Sequence, residues 1–505
     1  MTSITINNER RVIPRWRHFS TSSELGELDY FGRAKPRVAV EPVSLWDLLE
    51  QWKEEKSDSL AGELLAATWM NGDQSLSREA AIYILRPNTT ASPQLRELAN
   101  SILDESPLLV GNQGSKRETI GNLRAVLRHA PNDAISWAEL ARFYIVSGNL
   151  KKAYRCIATA LGIAPNDRYI LRAASRCLIH LGETERAFEI LNRAPRIHSD
   201  PWVMAASLAV SSILKKSTRQ FKSAKILQAA DLSPFHLSEL RAALATVEIE
   251  AGNAKGGRKF LSAALKEPTE NVVAQAWWAQ EAISFPSPTE FIGVPHGFEA
   301  DTKANISVAQ WELACESCKA WFSDEPFSSR PAVSLTFIHA VAFDEHEKAI
   351  EAAKTALIAN PDDSLLLNNL AFSLASTGGL EEARVIASNS LLLAGDEAAA
   401  IAPTATMGLI EFRSGNPTAG REYYKAAGEI AVKHKAKREE SIVYFYRYRE
   451  ERLLNLPSAP ASLQKALELA GKITEPSLLL VKDIVVNGPK SRTGAQGPTT
   501  EKRKF

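Results

Sequence analysis

A pair of cysteines is the first candidate for chemistry in this sequence. Cys315 and Cys318 form a Cys-x2-Cys spacing within the segment WELACESCKAWF. A structural zinc site needs about four ligands, and the sequence has no second pair that would complete one. A redox pair of this kind is expected at the start of a helix that follows a strand, whereas the segment predicts a helix interior. We therefore predict that both cysteines are core residues, like Cys156 and Cys177.

Other patterns that could support catalysis are incomplete. Gly252 and Gly257, with two basic residues after them, approach a phosphate-binding loop. The pattern lacks Lys directly after the second glycine and Ser or Thr after that, and no predicted strand precedes it. His339 and His346 are seven positions apart but do not form a zinc-binding HExxH motif. We predict no enzymatic activity, no cofactor and no metal site.

The composition shows no strong preference for a charged partner. The chain has 505 residues, of which 60 are basic and 59 acidic, and its net charge is +1. This balance gives no global signal for nucleic acid or for an anionic membrane. Four cysteines in a chain of this length argue against a disulfide scaffold and favour a reducing compartment. Because we find no apolar secretory signal and no run of about 18 apolar residues, we predict a cytoplasmic protein that does not bind membranes.

The stretch Ala134–Asp167 carries the clearest structural pattern. Trp137, Leu140, Ala141 and Tyr144 lie on one face of a predicted helix. A glycine follows this helix and a proline follows the next apolar segment, which is typical of two helices joined by a tight turn. A single pair of helices cannot bury its apolar face, so the pattern predicts neighbours of the same kind.

This unit is repeated along the chain. Pro-Asn-Asp triplets at 131–133 and 165–167 are 34 residues apart. The pattern resembles the tetratricopeptide repeat (TPR), a helix-turn-helix unit of 34 residues that stacks into a solenoid. The resemblance implies an all-α, right-handed TPR-like helical solenoid with a helical N-terminal cap and flexible termini. Further copies of the pattern begin near Arg168, Ser238, Arg330, Ser364 and Ile401.

Breaks in the repeat pattern predict how the chain is divided. Prolines and glycines interrupt the helices after Ile283, and the C-terminal residues are rich in Gly, Pro, Thr and basic side chains. The predicted segments are an extended basic arm (1–40), a helical capping region (41–115), a first TPR-like array (116–283), a long loop (284–302), a second TPR-like array (303–475) and a disordered basic tail (476–505).

The predicted arm is basic and aromatic. Arg15 and Arg17 flank Trp16, next to Pro14, and Glu9 is the one acid near them. Such a segment could dock on a partner or on nucleic acid. The alternative, which we favour, is a solvated tail or a strand that lies on the first helices.

The TPR resemblance also identifies candidate binding residues. In that family the second, fifth, ninth and twelfth positions of each first helix face the concave surface, opposite the small packing residues. In this sequence these positions place Arg142, Tyr169, Arg172 and Arg176 in one groove. Three guanidinium groups suit a ligand that carries carboxylate or phosphate groups. The alternative is that the arginines pair with nearby acids such as Glu139.

In the later repeats the corresponding wall is neutral to apolar. The same positions hold Asn368, Phe372, Leu409 and Phe412. Such a wall is suited to an extended segment or to a helix of a partner.

These observations predict an adaptor or scaffold for protein–protein interaction that holds a partner segment in the concave TPR groove. The predicted partner is a protein or peptide with acidic groups where it meets the arginines. One alternative is the regulatory subunit of a separately encoded enzyme in a multi-protein assembly. A less favoured alternative is nucleic-acid binding through the basic groove and a predicted long helix around 433–452, in which aromatic and basic residues alternate.

Overall fold

The part of the chain that can be described is helical. The computed structural model describes residues 13–19, 45–71, 74–91, 93–103, 116–216, 220–230, 232–283, 285, 293–471 and 473–487. Among these residues there is no β-strand. The predicted all-α class is therefore confirmed. None of the helices in these ranges is long and apolar enough to cross a membrane.

The chain divides into two compact units. The N-terminal unit consists of Asn7–Asp301 with Lys319–Phe327. The described residues of the C-terminal unit lie within Thr302–Cys318 and Ser328–Phe505. Each unit is built around a core of its own.

The N-terminal unit contains successive helices that pack in antiparallel pairs such as α6 with α7 and α12 with α13. Its helices are α1 (Leu45–Glu54), α2 (Asp58–Asn71), α3 (Gln74–Ile84), α4 (Pro93–Leu103), α5 (Lys116–His129), α6 (Ala134–Val146), α7 (Leu150–Ile163), α8 (Arg168–His180), α9 (Thr184–Arg193), α10 (Pro201–Ile213), α11 (Gln220–Leu227), α12 (Pro234–Glu250), α13 (Ala254–Ala264) and α14 (Glu270–Ala282).

The helices α15 (Phe298–Ser307) and α16 (Trp311–Asp324) contribute residues to both units. The C-terminal unit continues the pairing, for example α21 with α22. Its remaining helices are α17 (Ser329–Phe337), α18 (His346–Leu357), α19 (Ser364–Thr377), α20 (Leu380–Leu392), α21 (Ile401–Arg413), α22 (Pro417–Lys433), α23 (Lys437–Leu453), α24 (Ala459–Ala470) and α25 (Pro476–Asn487).

The helix boundaries follow from residues that the repeat places at fixed positions. The Asp133 carboxylate accepts hydrogen bonds from the backbone N–H groups of Ile135 and Ser136, which caps the start of α6. Asp167 caps α8 in the same way. Between α6 and α7, Gly148 has a φ of 72°, a conformation that glycine adopts at little cost. The predicted tight turn between the two helices of the first repeat is confirmed.

Small side chains allow the paired helices to approach each other. Ala141 on α6 and Ala153 on α7 are completely buried. In the C-terminal unit the contact is closer still, because a Cβ on Gly420 of α22 would lie 2.4 Å from the ring of Phe412 on α21. These contacts bring the apolar faces of each pair close together.

Three predicted boundaries are wrong. Residues 476–487, predicted as part of a disordered tail, form helix α25 because Leu478 and Val481 are buried against the core. The predicted long loop ends earlier than expected, since α15 begins at Phe298. The predicted helix around 433–452 begins later than expected, at Lys437 of α23, because Lys435 adopts a left-handed φ of 56° after the end of α22.

Candidate partner-binding groove

Residues 13–19 of the predicted arm lie in the N-terminal unit as an extended segment. These residues form no helix apart from a short helical turn at Phe19. Trp16, Arg17 and Phe19 are each at most 2% exposed. The segment, here called the arm, is therefore not a solvated tail; it lies in extended form on helices, as the second predicted alternative states, although these are not the first helices of the chain. It fills a groove that is lined by α6, α8, α14, α15, the end of α16 and residues 325–327, here called the arm groove.

Arg15 is held by two carboxylates at once. Its Nη1 lies 2.5 Å from Glu325 Oε2, and its Nη2 lies 2.5 Å from Glu299 Oε2. All three side chains are at most 8% exposed. Burial lowers the pKa of Arg15, but the surrounding carboxylates outweigh burial and raise it above its ordinary value. The planar guanidinium thus bridges two acids that come from different parts of the chain.

Arg17 makes a second set of ion pairs. Its Nη2 lies 3.0 Å from Glu270 Oε1 at the start of α14, and its Nε lies 3.9 Å from Asp324 Oδ2. Burial raises the pKa of Asp324 to about 7, even though the nearby Arg17 lowers it. Burial and, to a lesser extent, the charge of Arg17 together lower the pKa of His296 to about 3. The groove around Arg17 is therefore a low-dielectric site whose charges are matched by the arm.

Trp16 anchors the centre of the arm through aromatic contacts. Its ring centroid lies 5.3 Å from that of Phe327, and both side chains are completely buried. The guanidinium of Arg176 lies 5.1 Å above the same Phe327 ring. His180 packs against Phe327 edge to face. Arg176, predicted as a groove residue, thus reaches the arm through Phe327.

The end of the arm is fixed by α6 and α8. The Phe19 backbone N–H donates to Glu139 Oε1 at 3.1 Å. The Tyr169 hydroxyl donates to the same oxygen at 2.7 Å and also approaches the Arg17 carbonyl oxygen at 3.2 Å. The rings of Phe19 and Tyr169 meet edge to face at 5.0 Å. Tyr169, predicted as a groove residue, contacts the arm directly.

The other two predicted arginines in this groove are paired within the unit. Arg142 Nε lies 3.5 Å from Glu139 Oε2, the pairing that the sequence offered as the alternative. Arg172 Nη1 lies 2.9 Å from Glu239 Oε2, and the guanidinium stacks on the Trp202 ring at 5.1 Å. Both arginines are at most 3% exposed. They hold acids and helices in position, and the charge that faces the arm is negative.

The predicted groove residues of the later repeats lie in the core of the C-terminal unit. Asn368 is completely buried and accepts a hydrogen bond from Thr406 at 2.8 Å. Phe372 and Phe412 pack on tyrosine rings, and Leu409 is 1% exposed. These four side chains contact the chain's own residues and are not part of the surface proposed below.

The aromatic band of α23 is also core. Phe445 and Tyr446 are at most 5% exposed. Arg447 and Arg449, which interleave with them, pair with Glu451 and Glu450 at 3.0 and 2.8 Å. These residues do not present an aromatic and basic face to a nucleic acid.

The cysteine, histidine and glycine patterns are structural features. Cys315 and Cys318 are buried thiols inside α16, as predicted. His339 lies 3.9 Å from Cys315 Sγ and 2.8 Å from Glu345. Among the described residues no cluster of three or more His, Cys, Asp and Glu side chains is placed to hold a metal ion. Gly252 forms the turn between α12 and α13 with a φ of 81°.

Sequence reasoning missed most acids of the arm groove. Glu299, Asp324 and Glu325 lie at the start of one helix and the end of another, outside the repeat positions that identified the arginines. The one available signal was the charge of the arm itself. Its two arginines require carboxylates somewhere in a folded chain that buries them.

The fold and this groove belong to a class of stacked helical repeats. Residues 113–176, which span α5 to α8, match the family model of the tetratricopeptide repeat. Residues 113–176 thus form a tetratricopeptide-repeat region, as the sequence pattern predicts for this part of the chain. The TPR is in general a protein-interaction module, and its solenoids present extended concave surfaces for binding. No curated protein sequence matches the chain.

The solved structures that match this chain include the following three. Yeast Tom70 is 12% identical at a TM-score of 0.31, covering 85% of this chain and 95% of that one. Cut9, in the APC/C heterotetramer with Hcn1, is 11% identical at 0.36, covering 88% and 92%. Human IFIT1, as a dimer with PPP-AAAA, is 13% identical at 0.32, covering 89% and 96%. Scores this low carry no information about what this chain binds.

Proposed function

We propose that this chain is a protein-interaction scaffold whose N-terminal unit holds an extended protein segment in the arm groove. The observation that carries the proposal is the arm itself. Residues 13–19 run through the groove in extended form, with both arginines paired to buried acids. A groove that binds one extended segment by its side chains has the features that peptide recognition requires.

The proposal changes the predicted chemistry of the partner. The sequence suggested a partner with acidic groups, because three arginines were expected to face the groove. The contacts support a basic partner instead, since Arg142 and Arg172 are neutralised by Glu139 and Glu239. Acids of the groove then meet positive charge on the partner, which favours encounter as well as orientation.

Affinity purification of the tagged full-length chain tests the scaffold function. After nuclease treatment, we expect a stoichiometric protein partner that is retained by the wild type and lost when Glu299 and Glu325 are both changed to Lys. A matched control is Glu189→Lys, because Glu189 on α9 is a surface acid that is 56% exposed. Equal retention by the wild type and the groove variant would place the binding site elsewhere and contradict the proposal. If the captured partner is an enzyme, this result would support the alternative in which the chain is a regulatory subunit. The cytoplasmic location stays a prediction.

Nucleic-acid binding is a second candidate because of a different surface. A pocket of about 320 Å³ on α5, α6 and α7 has an apolar floor and a basic rim. The ammonium of Lys152 lies 5.4 Å above the Tyr144 ring. A nucleic-acid base could stack on the aromatic residues of this pocket while its basic side chains contact the phosphates. The rim and the aromatic residues are Arg124, Arg128, Lys152, Arg155, Trp137 and Tyr144.

Salt dependence distinguishes this candidate. If the pocket binds RNA, affinity falls steeply with ionic strength, because phosphate contacts release counterions. The Arg124→Glu, Arg128→Glu variant then loses binding, whereas Lys255→Glu, Lys259→Glu, with the same charge change on α13, retains it. Filter binding with labelled single-stranded RNA measures both. RNA binding that is absent, or equal in both variants, would contradict this candidate.

A further inference from the structure

The arm groove is built for a positively charged occupant. Glu270, Glu299, Asp324 and Glu325 are all at most 7% exposed, and each lies within 4 Å of a guanidinium of the arm. Without those cations, four carboxyl groups would lie buried together in a low-dielectric site, which is strongly unfavourable. An occupant that replaces the arm must therefore bring the same charge.

The geometry selects arginine and an aromatic side chain. Arg15 donates from two different nitrogens to two different carboxylates, Glu299 and Glu325. A lysine has a single nitrogen and does not reproduce this planar fork. Between the two arginines, Trp16 fills the space against Phe327. The groove is thus selective for a segment in which two arginines flank one aromatic residue.

The arm satisfies the groove incompletely. Three of its buried donors, Arg15 Nε, Trp16 Nε1 and Arg17 Nη1, have no hydrogen-bond partner among the described residues. Buried donors without acceptors weaken the complex that contains them. A segment with the same charges whose own buried donors all find acceptors would bind more tightly than the arm does.

The arm is joined to α1 by a long connection. Residues 20–44 separate Phe19 from Leu45, the first residue of α1. An extended chain of this length spans up to about 85 Å. The length of this connection therefore does not by itself fix the arm to the position of α1.

We propose that residues 13–19 are an exchangeable internal ligand. The external partner is an extended protein segment with one arginine on each side of an aromatic residue. This inference rests on the proposed scaffold function and names its partner class and its regulation. A tethered segment competes at an effective concentration of the order of millimolar. An external segment must therefore bind the groove tightly enough to compete with the arm at this effective concentration.

Peptide binding to the full-length chain tests this proposal. The probe is a fluorescently labelled peptide with the sequence of residues 11–21, and fluorescence anisotropy gives its Kd. The full-length Arg15→Glu, Arg17→Glu variant, whose own arm is repelled by the groove, is expected to bind one peptide at least tenfold more tightly than the wild type does. The same peptide with lysines for Arg15 and Arg17 is expected to bind at least fivefold more weakly, and the peptide with glutamates not at all.

A second measurement uses the wild-type chain and needs no variant to fold. Excess unlabelled peptide is expected to increase hydrogen exchange in residues 13–19, because the peptide displaces the arm. No change in exchange, equal peptide binding by wild type and variant, or no binding by a folded variant would each overturn the proposal. If the Arg15→Glu, Arg17→Glu variant does not fold, the arm is a permanent part of the fold. If the wild type forms a dimer and this variant does not, the arm is exchanged between copies of the chain. Either result would also overturn it.

The peptide experiment and the affinity purification fail in different ways. Peptide binding without a captured protein partner would support the arm as an exchangeable internal ligand but contradict the scaffold function. A captured partner that depends on Glu299 and Glu325, together with no peptide binding, would support the scaffold function and contradict the partner class.

Discussion

Arg17 Nη2 lies 3.0 Å from Glu270 Oε1, although 253 positions separate the two residues in the chain. Both side chains are at most 6% exposed. A buried ion pair costs desolvation on both sides, and losing one partner leaves the other charge buried and unpaired. This pair therefore ties the state of the arm to the integrity of the groove, and it makes the arm sensitive to single changes on either side.

Removal of the Glu270 charge should release the arm. In the wild type, Arg15 and Arg17 are buried, so trypsin should not cleave after them. Glu270→Gln leaves Arg17 without its closest carboxylate, and we expect cleavage at these two sites to become at least tenfold faster. Limited proteolysis with mass spectrometry distinguishes these cuts from cuts elsewhere. Glu189→Gln on the exposed face of α9 serves as the control, and equal cleavage in both variants would contradict the role of Glu270 in holding the arm.

Asp324 should make stability depend on pH. Its pKa of about 7 lies above the ordinary 3.8, chiefly because of burial; Glu325 and Glu270 raise it further, and Arg17 and Arg15 lower it. Between about pH 4 and pH 7 the native state keeps a proton that the unfolded chain releases. Stability from this group is thus full below about pH 4 and is lost as the pH rises toward 7.

The Asp324→Asn variant isolates this contribution. Each pH unit in that window corresponds to about 1.4 kcal/mol, so the wild type should lose a few kcal/mol relative to the variant between pH 4 and pH 7. Urea denaturation at both pH values gives the difference in the free energy of unfolding. A difference that does not change with pH would mean that Asp324 is ionised throughout.

Arg172 should contribute to stability through Glu239. Both side chains are at most 2% exposed, and their nitrogen and oxygen lie 2.9 Å apart. Arg172→Met should cost about 3–5 kcal/mol, because Glu239 keeps a buried, unpaired charge. Adding Glu239→Gln should recover part of this loss. A double-mutant cycle from urea denaturation measures the coupling, and additive effects of the two changes would contradict a direct pair.

Gly420 should tolerate no side chain. A Cβ at this position would lie 2.4 Å from the Phe412 ring, so Gly420→Ala should destabilise the C-terminal unit by about 1–3 kcal/mol. Gly428→Ala on the same helix is the matched control. There a Cβ meets the Tyr444 ring at 3.7 Å, an ordinary contact, and the better helix propensity of alanine should make the change neutral or stabilising. Thermal unfolding compares the two, and similar melting temperatures would contradict the close approach of α21 and α22.

The sequence predicts the repeats well because their signals are local. Asp133 and Asp167 cap helices within three residues of themselves. Gly148 adopts its positive φ because it has no side chain, so the turn depends on this residue itself. On the face of α8 that holds the predicted groove residues, Tyr169 touches the arm and Arg176 stacks on Phe327; that this face binds a partner stays a prediction.

The charge of the groove could not be predicted, because its partners are distant in the chain. Arg172 meets Glu239 across 67 positions, and Arg15 meets Glu325 across 310. Spacing along a helix gives the direction of a side chain but not the residue that it meets. The arm has no periodicity at all, so its position depends on contacts that no local pattern contains.

Photo-crosslinking from position 16 tests the central claim most directly. Trp16 is replaced by a photoreactive benzoylphenylalanine in the full-length chain, and mass spectrometry maps the crosslinks after irradiation. Mixing copies with natural and heavy nitrogen distinguishes crosslinks within one chain from those between chains. We expect crosslinks within one chain to residues 319–327, around Phe327, and their loss in the Arg15→Glu, Arg17→Glu background. Crosslinks that are absent, that map to other residues, or that join two chains would contradict an arm that occupies its own groove.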